Sequence, residues 1–215
     1  LVLPWSSIFL FLACYGALML IMVEVYLPES LPQRQSLHPR AILGNYMQLI
    51  ADPLYLSVTV ASGLVYAGLM VYLSSSSFVY IDMLGVPAQY FGFIFLTAVA
   101  GYIIGSGISA RLSRHYDSEQ TMMLGSVLVV VATCLMILGN WLWPMSVAAL
   151  AAPMTLYSIG MGLVLPHAMA LALRPFPHIA GTASALLGFI QMGMSATASA
   201  LVGQFLIATP DRKST

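Results

Sequence analysis

Few side chains in this sequence have the chemistry to act on a substrate. Its 215 residues include seven Asp or Glu and four His. His167 is the one histidine well inside an apolar stretch. With Ser109 it could be drawn as a dyad, because an imidazole within hydrogen-bond reach activates a hydroxyl nucleophile. Against that, Ser109 stands two residues before Arg111 and has no Gly-x-Ser-x-Gly setting. A proton relay through His167 would need a carboxylate partner, and none is evident. Glu24 and Asp82 lie near the ends of apolar stretches, where solvated carboxylates are ordinary. Cys14 and Cys134 each sit in an apolar run and read as small buried hydrophobes rather than a disulfide or metal pair. No catalytic residue, metal or cofactor is expected.

The elements that hold these residues are dictated by solvent. The chain is 60% hydrophobic and 7% charged, with a mean hydropathy of +0.93. A soluble domain carries roughly 25% charged residues to face water. Lipid must therefore cover much of this molecule. A net charge of zero provides no basic field for nucleic acid. The sequence lacks an initiator Met and opens almost within an apolar run too long for a cleaved signal peptide, so it reads as a piece of a longer chain.

Crossing the hydrocarbon takes about 20 mostly apolar residues. Six stretches qualify, at 5–27, 54–80, 91–112, 121–143, 145–173 and 181–208. Charges fall only near their ends, as expected when a mid-bilayer charge costs on the order of 3 kcal/mol. Arg34, Arg40, Arg111, Arg114 and Arg174 fall on one side of the resulting topology, which the positive-inside rule makes cytoplasmic. Arg212 and Lys213 fall on the other, beside Asp211. The loop after the first span begins Pro28–Glu29–Ser30–Leu31–Pro32. It continues with Ile42, Leu43, Tyr46, Met47 and Ile50 at helical spacing, with Arg40, Asn45 and Gln48 off the stripe, as in a short helix at the membrane interface.

Lipid-facing surfaces need no polar groups, so polar stripes point inward. The second span carries Thr59, Gly63, Tyr66, Met70, Ser74 and Ser77 at steps of three and four. The fifth carries Thr155, Ser158, Gly162, Pro166 and Met169, and the sixth Ser184, Gly188, Gln191, Ser195 and Ser199. Such faces either line a solvated cavity that takes a ligand of mixed polarity or let helices pack closely. Gly101 and Gly105 form a GxxxG whose natural reading is close packing. Pro166 interrupts the backbone bonding of its span, a site for a kink.

Several segments resemble one family. Trp5-Ser6-Ser7-Ile8-Phe9 and Leu27-Pro28-Glu29-Ser30-Leu31-Pro32 resemble the sixth helix and its exit in bicyclomycin-resistance (Bcr/CflA-type) drug exporters of the major facilitator superfamily. Ala61-Ser62-Gly63, Ala67-Gly68 and Ser77-Phe78-Val79-Tyr80-Ile81 are similar to its seventh helix. Phe176-Pro177-His178-Ile179-Ala180-Gly181-Thr182-Ala183-Ser184 strongly resembles the lead into its eleventh. The resemblance implies an all-α polytopic membrane bundle, a partial major facilitator fold of about six spans matching helices six to eleven. Residues 1–27 would be the last helix of the N-terminal half, 28–53 the central cytoplasmic loop, 54–208 five helices of the C-terminal half, and 209–215 a truncated tail. Five helices before and one after are expected, with the family's proton-coupling carboxylate in the absent half. Pro166-His167-Ala168 departs from the family's frequent Pro-Asn-Ala, and Arg111-Leu112-Ser113-Arg114 looks like a degenerate copy of its cytoplasmic loop motif.

The implied activity is efflux of small amphipathic drug-like compounds by proton antiport with alternating access, in a bacterial inner membrane. Its expected partners are that substrate, protons, the bilayer and the missing N-terminal half, and its candidate cavity residues are Thr59, Tyr66, Met70, Ser74, Thr155, Ser158, Met169 and Gln191. A metabolite exporter on the same scaffold is the alternative. An intramembrane serine protease is a remote one, and no charged ring or filter-like loop suggests a channel.

Overall fold

A computed structural model describes residues 6–26 and 38–208. The chain divides into two compact units, residues 1–36 and 37–215. Among the described residues, six helices are long and apolar enough to cross a membrane. The first unit holds α1 (Ser6–Tyr26), whose single charged residue is Glu24 in its last turn.

The second unit begins with α2 (Pro39–Ala51), the short helix expected in the loop. Ile42, Asn45 and Tyr46 are half-buried and Leu49 is fully buried, while Leu43, Met47 and Ile50 stay exposed. The expected apolar stripe is thus divided. One edge, including Asn45, rests on the bundle and the other faces outward. The Pro28–Pro32 segment, Arg34 and the 209–215 tail lie outside the described residues.

Asp52 ends α2 and starts α3 (Pro53–Ser77), its carboxylate accepting from Tyr55 N at 2.7 Å with Pro53 in the first turn. A π-helical segment, Phe78–Met83, extends α3. There Leu84 N reaches back five residues to Val79 O at 3.0 Å, and Gly85 at φ 68° turns the chain. Then follow α4 (Ala88–Leu112), α5 (Ser118–Leu142), α6 (Val147–Leu173), a 3-10 turn (Pro177–Ile179) and α7 (Ala180–Ala208). The helix α6 continues through both Pro153 and Pro166. Met145, the non-glycine residue with positive φ (68°), closes the tight turn between α5 and α6.

Packing is set by the smallest residues. α6 is the hub, with α4 on one side and α5 on the other. A Cβ on Gly101 would lie 2.5 Å from Thr155 O, and one on Gly105 2.3 Å from Ile159 O. In return, a Cβ on Gly162 would lie 2.7 Å from Ser106 N. Gly125 and Gly160 stand in the same relation, each Cβ position 2.8 Å from the other's carbonyl oxygen. These backbones touch, as the GxxxG predicted, and dispersion over such contacts replaces the hydrophobic drive absent in lipid. On the outside the molecule is apolar, with Trp141 79% and Phe189 75% exposed. Cys14 and Cys134 are free and exposed rather than buried. Hydrocarbon accepts a thiol as readily as a core does, so an apolar run gave no information about which side they face.

Candidate functional site

The pairing of α3 with α7 differs from that of α4 with α6. It is held by side chains. At one end the Tyr55 hydroxyl donates to Ala183 O at 2.6 Å, and the Tyr55 ring meets Phe176 edge-on at 6.0 Å. One-third of the way along, Gln191 Nε2 donates to Ser62 Oγ at 3.1 Å. A Cβ on Gly63 would meet the Met194 sulfur at 2.6 Å, the soft end of a flexible chain rather than backbone. Further along, the interface between the two helices is not filled. A groove of about 480 Å³ opens there, lined by Met70, Leu73 and Ser74 of α3 and by Met192, Ser195, Ala196 and Ser199 of α7.

Across Leu73 a second hollow, about 190 Å³, lies between α3, α4 and α6. Tyr72, Phe95, Tyr102 and Ser158 contribute to its wall. Near it Thr155 Oγ1 donates to Thr97 Oγ1 at 3.2 Å, joining α6 to α4. Neither hollow is lined by a charged residue. Together they form a concave surface of thioether, aromatic and hydroxyl groups. Such a surface can hold an amphipathic molecule by contact and a few hydrogen bonds, and it offers no group for proton abstraction or nucleophilic attack.

The structure distributes the expected site residues unevenly. Met70 and Ser74 line the larger groove, joined by Ser195 and Ser199. Tyr66 is half-buried on α3, one turn before Met70. Gln191 is not part of the groove's lining and is committed to Ser62. Ser158 reaches the smaller hollow, though its hydroxyl is spent on Met154 O at 3.0 Å. Thr59 is fully buried and Gly63 packed, so the N-terminal half of the α3 stripe is helix packing rather than open wall. Gly162 likewise packs on the α4 backbone, because a hydrogen side chain allows that approach. Met169 is exposed and Pro166 is exposed, away from both hollows. Sequence reasoning missed Met192 and Thr97. Met192 adjoins the Gln191 stripe by one residue, and helical spacing alone could not separate the two.

Ser109 and His167 do meet, Oγ to Nε2, at 3.0 Å, and Ser113 Oγ lies 3.4 Å from the same nitrogen. Ser109 is only 4% exposed, leaving no approach for an acyl group, so the contact ties α4 to α6. Arg111 and Arg114 are exposed at the end of α4, where cations complement a helix C-terminus.

A multi-pass bundle with an uncharged concave face suits a transporter. The family model described as Major Facilitator Superfamily matches residues 1–199, and the chain belongs to that superfamily. It is 28% identical over 202 residues to an uncharacterized MFS-type transporter, YdgK, of Bacillus subtilis, covering 93% of this chain and 50% of the relative. It is 27% identical over 213 residues to a bicyclomycin resistance protein homolog of Haemophilus influenzae, covering 95% and 52%. It is 28% identical over 208 residues to multidrug resistance protein D of Escherichia coli, covering 93% and 50%. The chain thus spans about half the length of the curated relatives it matches.

Proposed function

We propose that this chain forms part of a proton-coupled exporter of small amphipathic drug-like compounds, working by alternating access in a bacterial inner membrane. Residues 54–208 supply five helices of one half, 1–27 the last helix of the other, and 28–53 the cytoplasmic connection. The observation that carries this is the α3–α7 groove. Its methionines and serines, Met70, Met192, Ser74, Ser195 and Ser199, combine adaptable apolar contact with scattered hydroxyls. That suits a range of ligands better than one metabolite, which calls for a few fixed polar partners. Two relatives named for bicyclomycin and multidrug resistance support the same reading.

Tyr66, Met70, Ser74, Thr155, Ser158 and Gln191 are assigned to or beside this half of the cavity, with Thr59 beneath it and Met169 peripheral. Arg111 and Arg114 anchor the cytoplasmic loop. No acidic residue lies on the concave face, so the coupling carboxylate is assigned to the partner half. The test is Met70→Ala in the complete transporter, with minimum inhibitory concentrations read across chemically diverse drugs. The expected result is a changed resistance spectrum at unchanged membrane abundance. An unchanged spectrum would remove Met70 from the cavity, and export of an amino acid or sugar without drug resistance would favour the metabolite reading.

A further inference from the structure

On the α5 side of the α3–α6 contact, away from the groove between α3 and α7, lies a partly open slot of about 280 Å³. It has a wall that the transport reading leaves unused. The π-helical segment carries Tyr80 into it, buried at 1% exposure, where its ring packs against Phe91 at 6.2 Å and edge-on to Tyr72 at 6.3 Å. The two tyrosine hydroxyls are 3.4 Å apart. Whichever of them donates in that pair, one phenolic proton is left over, and both tyrosines line the slot. The other hydroxyls on the wall are already spent, Ser75 on Val71 O, Ser76 on Leu73 O and Thr133 on Val129 O. Opposite stand Met136 of α5 and Met154 of α6, and none of the lining residues is charged.

We propose that this slot is a second binding site, for a small neutral molecule with an apolar, one- or two-ring body and a single hydrogen-bond acceptor. Each term of that description has a cause. The absence of any charged lining residue disfavours a charged ligand, because a buried charge without a partner is prohibitively costly. The volume lies at the lower edge of the roughly 300–1,000 Å³ of small-molecule pockets, which limits the body to one or two rings. The spare phenolic proton selects an acceptor such as a ketone or ether oxygen, since leaving it unpaired in an apolar slot is unfavourable. The two methionines give polarisable contact to an aromatic face. The π turn is what aims Tyr80, consistent with the frequency of such turns at functional sites.

Benzophenone is both a fitting ligand and a reporter. It is neutral, has two rings and one carbonyl, and on irradiation its triplet takes a hydrogen from a C–H beside sulfur. The two radicals then join as a carbinol adduct. The intact transporter in lipid nanodiscs would be irradiated over a range of probe concentrations and the adducts mapped by peptide mass spectrometry. Met123 on α5, 70% exposed, reports simple partition into lipid. Met70 and Met192 report the groove. Adducts at Met136 and Met154 are expected to saturate with concentration. They should fall several-fold in the Tyr72→Phe/Tyr80→Phe double variant, which removes both hydroxyls, and vanish in Thr133→Trp, which fills the slot from α5, while Met123 labelling rises linearly and is unchanged. Non-saturable labelling of Met136 and Met154, equal labelling in the Tyr72→Phe/Tyr80→Phe double variant, or no labelling there because another part of the polypeptide fills the slot would each overturn the proposal. The groove reading is judged by transport and by Met70 and Met192, so either can fail without the other.

Discussion

The α4–α5–α6 layer and the α3–α7 pair use the same apolar residues, yet their interfaces close by different means. In the layer, Gly101, Gly105, Gly125, Gly160 and Gly162 bring main chains into direct contact, so what a new atom would strike is backbone. In the pair, the corresponding neighbours are side-chain ends, the Met194 sulfur, the Gln191 amide and the Tyr55 hydroxyl. Backbone contact has one good geometry and resists deformation. Side-chain contact can be made and remade as two helices shift. The groove opens where the second kind of contact runs out, which places the adaptable surface on the interface able to move.

The comparison is broken most severely by Gly105→Val. Its Cβ would fall 2.3 Å from Ile159 O and 2.8 Å from Ile159 Cα, and neither atom can yield without separating α4 from α6. Overpacking of this kind costs about 3 kcal/mol. The expected result is a sharp loss of monodisperse protein in detergent and a lowered Tm for what remains. Gly188→Ala on α7, with nothing within 4 Å of its Cβ, is the matched control. It should be neutral or slightly stabilising, since Ala is favoured over Gly in helices by about 1 kcal/mol. Equal effects of the two would mean that the layer is no stiffer than the pair.

The next step down is Tyr157→Phe, which tests a hydrogen bond between the two regions. The Tyr157 hydroxyl of α6 donates to Val65 O of α3 at 2.7 Å and fills the space beside Gly68. The acceptor is a helical carbonyl that keeps its backbone partner, so the loss is the hydrogen bond alone. About 1 kcal/mol is expected, read as a modest drop in Tm with abundance preserved. A loss as large as that of Gly105→Val would show that this contact, and not the glycines, holds α3 to the layer.

The spans were legible because the bilayer imposes one rule on every residue in them. Each expected stretch agrees with a helix to within a few residues. The GxxxG of α4 was legible for a related reason, since nothing but a missing side chain permits main-chain contact. The site was only half legible. A stripe of Thr59, Gly63, Tyr66, Met70 and Ser74 has the same period whether it packs or lines a cavity. What divides it is where the α3–α7 packing ends and the groove begins, which no local pattern encodes. The Ser109–His167 meeting was drawn from residue type alone, and it became a tie between helices once burial was known. Tyr80 was invisible as a slot residue because the π turn that aims it changes the helical register.

The smallest expected effect is also the sharpest test of what kind of interface α3 and α7 make. Gln191→Leu removes the donor to Ser62 Oγ while keeping nearly the same volume. Ser62 retains its own bond to Thr59 O at 3.0 Å, so no buried hydroxyl is stranded. Interhelical polar contacts in membranes average about 0.6 kcal/mol, and a Tm shift near the limit of detection follows. If the contact served stability alone, transport would be equally untouched. If it marks the point where the pair stops packing and begins to open, losing it should let the helices slide. Initial transport rates and drug selectivity should then change while Tm does not. A variant indistinguishable from the parent in both stability and transport would make the α3–α7 pair as passive as the glycine layer, and the contrast between them would disappear.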